Sequence, residues 1–254
     1  MKHLFSIPAL FVLLLLNACA AQYHYVPNIP VIPAFRKQHD AVMSGGRSVM
    51  GGWELQAGYS PLKHVLLQYQ YAHLPTSSPS NARLPWESNQ SWEGSAGAYW
   101  YKSPWTFSLA GGGGGGYSEN GFGSTGMPGG QSQLDFRQWF VQPAVLLQSH
   151  GIRFGLAARS MWLNFEKGQI EVPSLESAEL QAIRRIEEEN PFRLTEFGFT
   201  LGYSLRPFTL SYNAVSVFGD PNLLKDLLFA DGNHSVMLTL NVQELWRGKR
   251  GKGK

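Results

Sequence analysis

Six consecutive glycines, Gly111 to Gly116, stand near the head of the stretch LAGGGGGGYSENGFGSTGMPGG, and such a run raises the question of a phosphate cradle. A phosphate loop needs Gly-x4-Gly-Lys-Ser/Thr opening a helix, because the lysine and the free N–H groups of the first turn hold the anion. Here Tyr117, Ser118 and Glu119 follow, with no lysine and no helix signal. Trp105, Phe107 and Leu109 lead into the run in strict alternation. The glycines therefore read as the outer half of a β-strand, with Gly112, Gly114 and Gly116 facing inward and Gly113 outward. After Tyr117, the residues to Gln131 read as a mobile loop.

The other chemistry-bearing residues are scattered. His24, His39, His64, His73, His150 and His234 form no i, i+4 pair, and Cys19 is the sole cysteine, so no metal centre is expected. The serines show no nucleophile elbow or assignable triad. No catalytic residue and no cofactor are expected, and the chain is not expected to be an enzyme. Five charged residues share the less apolar face of alternating segments: Glu54, Glu93, Arg153, Arg159 and Glu196. They could line a narrow polar pathway or ligand site. The favoured expectation is a charge-paired filling, since buried charges must be paired.

The elements that carry these residues have a period of two. Trp53, Leu55, Ala57 and Tyr59 alternate with Glu54, Gln56 and Gly58; Phe197, Phe199, Leu201 and Tyr203 alternate with Glu196, Gly198, Thr200 and Gly202. Successive strand side chains point to opposite faces, so each segment has one apolar and one polar or small face. Ten strands are expected, at 41–49, 52–60, 63–73, 91–102, 104–117, 132–148, 151–165, 192–204, 206–218 and 233–244. Most have the ~9–11 residues that cross a bilayer at a tilt. The joints at Ser60-Pro61, Lys102-Ser103-Pro104, His150-Gly151 and Ser204-Leu205-Arg206 are tight, and 74–90, 118–131, 166–191 and 219–232 are long. Only the joint near Met50-Gly51 breaks that alternation. Tyr59, Tyr101, Trp105 and Tyr203 mark the tight-turn ends, and Trp53, Trp92, Tyr117 and Trp162 the other. Alternating loop lengths, an even strand count and two aromatic girdles predict an all-β, antiparallel, up-and-down transmembrane barrel at 41–246. Within its longest loop, Ser174 to Asn190 reads as a helix capped by Ser174, with Leu180, Ile183 and Ile186 on one face. The helix could dock a partner or lid the mouth; packing on its own barrel is favoured. Asp220 to Asp231 is a second helical piece.

Composition agrees. Only 15% of residues are charged while 43% are hydrophobic. The net charge is +3, but the tail at 247–254 holds five cations, which leaves the remainder at −2. A nucleic-acid-binding surface is not supported. The tail could touch anionic head groups, although a solvated end is the favoured reading.

At the N-terminus, Lys2, an apolar run from Leu4 to Leu16 and the small residues after it form a signal peptide, 1–18. The ending Leu-Asn-Ala-Cys resembles the lipobox of bacterial lipoproteins, which implies diacylation of Cys19; ordinary cleavage near Ala18-Cys19-Ala20 is the rival reading. Residues 19–40, punctuated by Pro27, Pro30 and Pro33, read as a lipid-anchored linker.

With this lipobox, YVPNIPVIP, LQAGYSPLKH (Leu55 to His64) and WFVQPAV (Trp139 to Val145), the chain resembles the small outer-membrane β-barrel lipoproteins of Gram-negative bacteria. The resemblance implies outer-membrane lipid and the barrel assembly machinery as partners. It also implies a periplasmic N-terminus, and long loops available to an extracellular ligand or protein. One departure is that Trp246 is followed by eight residues, where many such barrels end on an aromatic. The implied role is structural, surface-interacting or narrowly transporting. The alternative is a soluble, lipocalin-like carrier of an apolar ligand. The two differ in whether Leu67, Phe199 and Leu238 face outward to lipid or inward to a cavity.

Overall fold

The computed structural model describes residues 23–48, 51–74, 86–124, 127–166, 168–171, 178–219, 224–225, 227 and 229–244. The signal peptide, Cys19, Ser174, most of the second helical piece and the basic tail lie outside them.

Ten antiparallel strands close a barrel: β1 (Ala41–Ser48), β2 (Trp53–Tyr59), β3 (Val65–Leu74), β4 (Trp86–Lys102), β5 (Trp105–Ser124), β6 (Met127–Ser149), β7 (Ile152–Phe165), β9 (Phe192–Leu205), β10 (Phe208–Phe218) and β11 (Gly232–Asn241). A three-residue strand, β8 (Gln169–Glu171), adds to the upper part of β6, and one helix, α1 (Ala178–Glu189), follows it. Each barrel strand pairs with its neighbours in the chain, and β1 closes on β11 with Val42 opposite Asn241 and Ser48 opposite Ser235. This is the expected up-and-down barrel.

The faces fall as the alternation requires. Leu67, Phe199 and Leu238 point outward and are 44%, 39% and 52% exposed, while Gln68, Gln70, Thr200 and Met237 are buried. Tyr59, Trp105 and Tyr203 at one end and Trp53, Trp92 and Trp162 at the other are exposed rings on the outside wall. An apolar exterior around an interior of mixed polar and apolar side chains fits the membrane-barrel arrangement. It overturns the lipocalin-like alternative, which needs those apolar side chains around an internal cavity.

The tight turns lie at one end. Between β6 and β7, His150 and Gly151 both have positive φ (49° and 84°), the two-residue turn whose twist matches flanking strands. At the other end the expected loop over 118–131 is replaced by strand at its described residues, 118–124 and 127–131. β5 and β6 stay paired through Gly121↔Gln131 to Ser124↔Met127, with a register shift after Phe122. Ser118 and Asn120 turn inward and are buried, which gives this polar segment a place in the wall that its composition does not announce. α1 forms as expected, and its buried face is Ala182, Ile183 and Ile186.

The largest departure concerns the linker. The described part of it, from Tyr23 to Asp40, runs through the lumen instead of outside the barrel. His24, Tyr25 and Phe35 are fully buried, and Val26, Asn28 and Ile29 nearly so. At the tight-turn end His39 N–H donates to the Ser60 carbonyl (2.7 Å), and Ser60 N–H donates to that of Asp40 (2.9 Å). At the long-loop end the Tyr23 carbonyl accepts from Asn89 Nδ2 (3.3 Å), and Ala230 N–H donates to the Tyr25 carbonyl (2.9 Å). The segment therefore descends from the long-loop mouth to the tight turns before β1 climbs back. Tyr23 stands at the end opposite to the one expected for a periplasmic N-terminus. The physical reason is apolarity: Tyr25, Val26, Ile29, Val31, Ile32 and Phe35 are too hydrophobic for a solvated linker and gain by burial.

Candidate functional site

The centre of the lumen is a buried ionic cluster contributed by four strands and the internal segment. Arg159 on β7 is 1% exposed and lies between two carboxylates, Glu93 on β4 (Nη1 to Oε1, 3.1 Å) and Glu196 on β9 (Nη1 to Oε2, 3.4 Å). Its other nitrogens donate to Gln142 Oε1 of β6, Nε at 3.2 Å and Nη2 at 2.9 Å. The guanidinium also sits 4.3 Å from the centre of the Phe140 ring. A planar guanidinium suits this site because its fixed fork meets several acceptors at once while one face stacks on an aromatic.

The internal segment enters this cluster. Asn28 Nδ2 donates to Glu93 Oε1 at 2.6 Å, and Gln138 Nε2 donates to the same oxygen at 2.7 Å. Tyr25 Oη donates to Glu196 Oε1 at 2.8 Å. Ser91 Oγ donates to Asn28 Oδ1 at 2.7 Å. Two carboxylates share one cation, and neutral donors from Tyr25, Asn28 and Gln138 add to it. That is what makes a buried charge tolerable, and it ties residues 25–28 to the wall. Only a few Å³ are free here: the cavity beside Gln70, Glu93, Gln142 and Arg159 is about 10 Å³, room for one water at most.

Of the five lumenal candidates, the structure thus gathers Glu93, Arg159 and Glu196. Glu54 is buried elsewhere, accepting from Asn233 Nδ2 at 3.0 Å; Asn233 Nδ2 also reaches the Pro27 carbonyl at 3.2 Å. Arg153 sits near the tight turns, half-buried, at a recess of about 650 Å³ also lined by Arg36, Lys37 and Arg206. Its Nε is buried with no hydrogen-bond partner among the described residues. There Arg36 Nη2 donates to Gln148 Oε1 (3.4 Å), and Arg206 lies 3.8 Å from Glu244.

Above the ionic cluster the lumen holds an apolar cluster. Leu134, Phe136, Met161, Leu163, Phe165, Phe192 and Leu194 point inward and meet Ile183 and Ile186 of α1, Tyr25, Leu227 and Phe229. The Phe229 ring lies 5.4 Å from that of Phe192, edge-on, and 5.6 Å from that of Phe165, stacked. α1 therefore packs on its own barrel at the long-loop end, with its apolar face against the upper lumen.

The residues that sequence reasoning missed are Tyr25, Asn28, Gln138, Gln142 and Asn233. Gln138 and Gln142 share the inward parity of WFVQPAV, but nothing local marks a glutamine as an arginine's acceptor. Tyr25 and Asn28 were hidden by the linker reading, although an apolar proline-rich stretch with one amide at its centre was the available signal.

No protein-family model matches the chain, and no curated protein matches it. Among solved structures, LpxR from Salmonella typhimurium is similar over 80% of this chain and 99% of its own, at 10% identity and a TM-score of 0.35. LpxR is an enzyme, and this corrects the expectation that the chain is not one. A barrel without a familiar catalytic motif gives no ground for excluding catalysis. At this level of similarity, no activity or residue role is carried from LpxR to this chain.

Proposed function

We propose that the protein is an outer-membrane β-barrel lipoprotein, acylated at Cys19, which acts through its surfaces and not by conduction through its lumen. The observation that carries this reading is the filled interior: residues 23–35 occupy the lumen, Arg159 and its carboxylates bind them there, and α1 packs against its apolar end. A pathway for solutes would require removal of a segment that carries Tyr25, Asn28 and Phe35, all buried. The apolar outer wall and its two rings of Trp and Tyr supply the contact with outer-membrane lipid. Insertion falls to the barrel assembly machinery. The long-loop face, with the exposed outer side of α1, is the surface offered to an extracellular ligand or protein.

Reconstitution of the purified full-length protein into planar bilayers tests the reading. No discrete conductance steps are expected; steady, reproducible steps would overturn it. Fractionation should recover the protein in the outer membrane, and mass spectrometry should find an acylated N-terminal Cys19. An unmodified N-terminus at Ala20 or beyond would remove the lipoprotein part.

A further inference from the structure

The direction of the lumenal segment fixes where the chain before it must emerge. We infer that the N-terminal segment is threaded outward through its own barrel, so that Cys19 and the acyl chains it carries sit at the long-loop face, in the outer leaflet of the membrane. The placement of the lipid rests on the reading of Cys19 given above; the threading does not.

Three sets of contacts establish the path. At the top, Tyr23 packs beside Leu74 and Ala230, and its carbonyl takes a hydrogen bond from Asn89. His24 Nδ1 is 3.0 Å from Asn120 Nδ2. Leu74, Asn120 and Ala230 all lie at the long-loop ends of their hairpins. In the middle, Tyr25 and Asn28 bind Glu196 and Glu93. At the bottom, Phe35 packs against Tyr99 (5.6 Å between rings) and Arg36 reaches Gln148, both beside tight turns.

Chain reach then decides between the two leaflets. Cys19 precedes Tyr23 by four residues, which span at most about 14 Å when fully extended. From Leu74, the level at which Asn89 holds the Tyr23 carbonyl, β3 descends ten residues to Val65, or ~33 Å along the strand and roughly 23–27 Å of height at a usual tilt. A cysteine anchored in the periplasmic leaflet would be roughly 10 Å out of reach. The rim beside Leu74 is low at β1 and β2, which end at Ser48 and begin at Trp53 and whose connecting Gly52 lies against Leu74, while β5 continues to Ser124. Over that low rim, four residues suffice to carry an acylated cysteine from the lumen to lipid.

The threading also sets an order of assembly. The lumen has no passage for a diacylated terminus once closed, so the segment must be in place before β1 pairs with β11 and the barrel seals.

The test uses the full-length chain with a short epitope inserted after Ala20. The epitope should bind antibody equally on intact cells and on cells with a permeabilised outer membrane. An epitope in the tight turn after Arg206 should bind only after permeabilisation. As a control on the threading itself, Asn28→Ala and Ser91→Ala should be non-additive in the midpoint of the heat-modifiable gel shift, since those side chains are hydrogen-bonded inside the barrel. Non-additivity with surface binding supports the proposal. Antibody binding at the N-terminal epitope only after permeabilisation overturns it, as do strictly additive effects of the two substitutions. If mass spectrometry finds Cys19 unmodified while the epitope reads outside, the lipoprotein reading fails and the threading stands. If Cys19 is acylated and the epitope is protected, the threading fails alone.

Discussion

A methyl group added at Gly114 should destabilise the barrel, whereas the same group at Gly111, three residues earlier in β5, should not. The two positions differ in what a Cβ would meet. At Gly114 it points into the lumen side of the wall, overlaps the Trp92 carbonyl oxygen and lies 2.9 Å from Glu93 Cα. Both are main-chain atoms of β4, so no rotamer change relieves them; the strands must part. Gly114 is paired with Glu93, so the shift also moves the carboxylate that holds Arg159, Asn28 and Gln138. Overpacking of this kind costs ~1–3 kcal/mol. At Gly111 the nearest atom is the Phe140 carbonyl oxygen at 3.8 Å, an ordinary contact. There alanine mainly restricts the unfolded chain, a gain of ~0.4–1 kcal/mol. For a chain of this size each kcal/mol moves the midpoint by ~2–4 °C. Gly114→Ala should therefore lower the temperature of the folded-to-unfolded shift on a semi-denaturing gel by several degrees, and Gly111→Ala should leave it unchanged or slightly raised. Gly113, the outward position expected to be open, is not a suitable control: the Trp139 ring lies over it, and its Cε3 would stand 2.6 Å from a Cβ. Equal midpoints for the Gly111 and Gly114 variants would refute the reasoning.

Arg159→Ala leaves Glu93 and Glu196 buried without their cation and should cost ~3–5 kcal/mol; adding Glu93→Gln and Glu196→Gln to it should recover part of the loss in the same gel assay. Tyr25→Phe removes the hydrogen bond to Glu196 and should cost ~1–3 kcal/mol in that assay, with the outer wall unaffected. Ile186→Ala opens a hole between α1 and the apolar lumen, worth ~2–5 kcal/mol if α1 is a packed lid; no change in limited proteolysis of the long-loop end would show that it is not. Cysteines replacing Leu67, Phe199 or Leu238 should resist polar thiol reagents in intact membranes, whereas one at Glu188, on the exposed side of α1, should label from the cell exterior.

The sequence alone determined most of the wall. A period of two depends only on neighbouring residues along one strand, so the ten strands, their outward apolar faces and the tight turns could be read directly. The inward parity of Gly112, Gly114 and Gly116 followed from Trp105, Phe107 and Leu109 for the same reason. The helix at Ala178–Glu189 was legible because its apolar residues recur at helical spacing within one short segment. Tertiary structure decided what fills the wall. The β7–β9 register sets Arg159 opposite Glu196, 37 residues on, and closure brings Glu93, 66 residues before Arg159, across the lumen to them; nothing local selects that grouping over another. Residues 118–131 look like loop because so many of them are small or polar; the described ones, 118–124 and 127–131, become strand because the neighbouring strands supply the hydrogen-bond ladder, and Asn120 meets the Tyr23 carbonyl and His24 in the lumen. The segment 23–40 carries no strand period, since its prolines forbid a ladder. Its place was set by long-range burial: the lumen takes its apolar side chains out of water, and Glu93, Glu196 and Asn233 meet its polar groups.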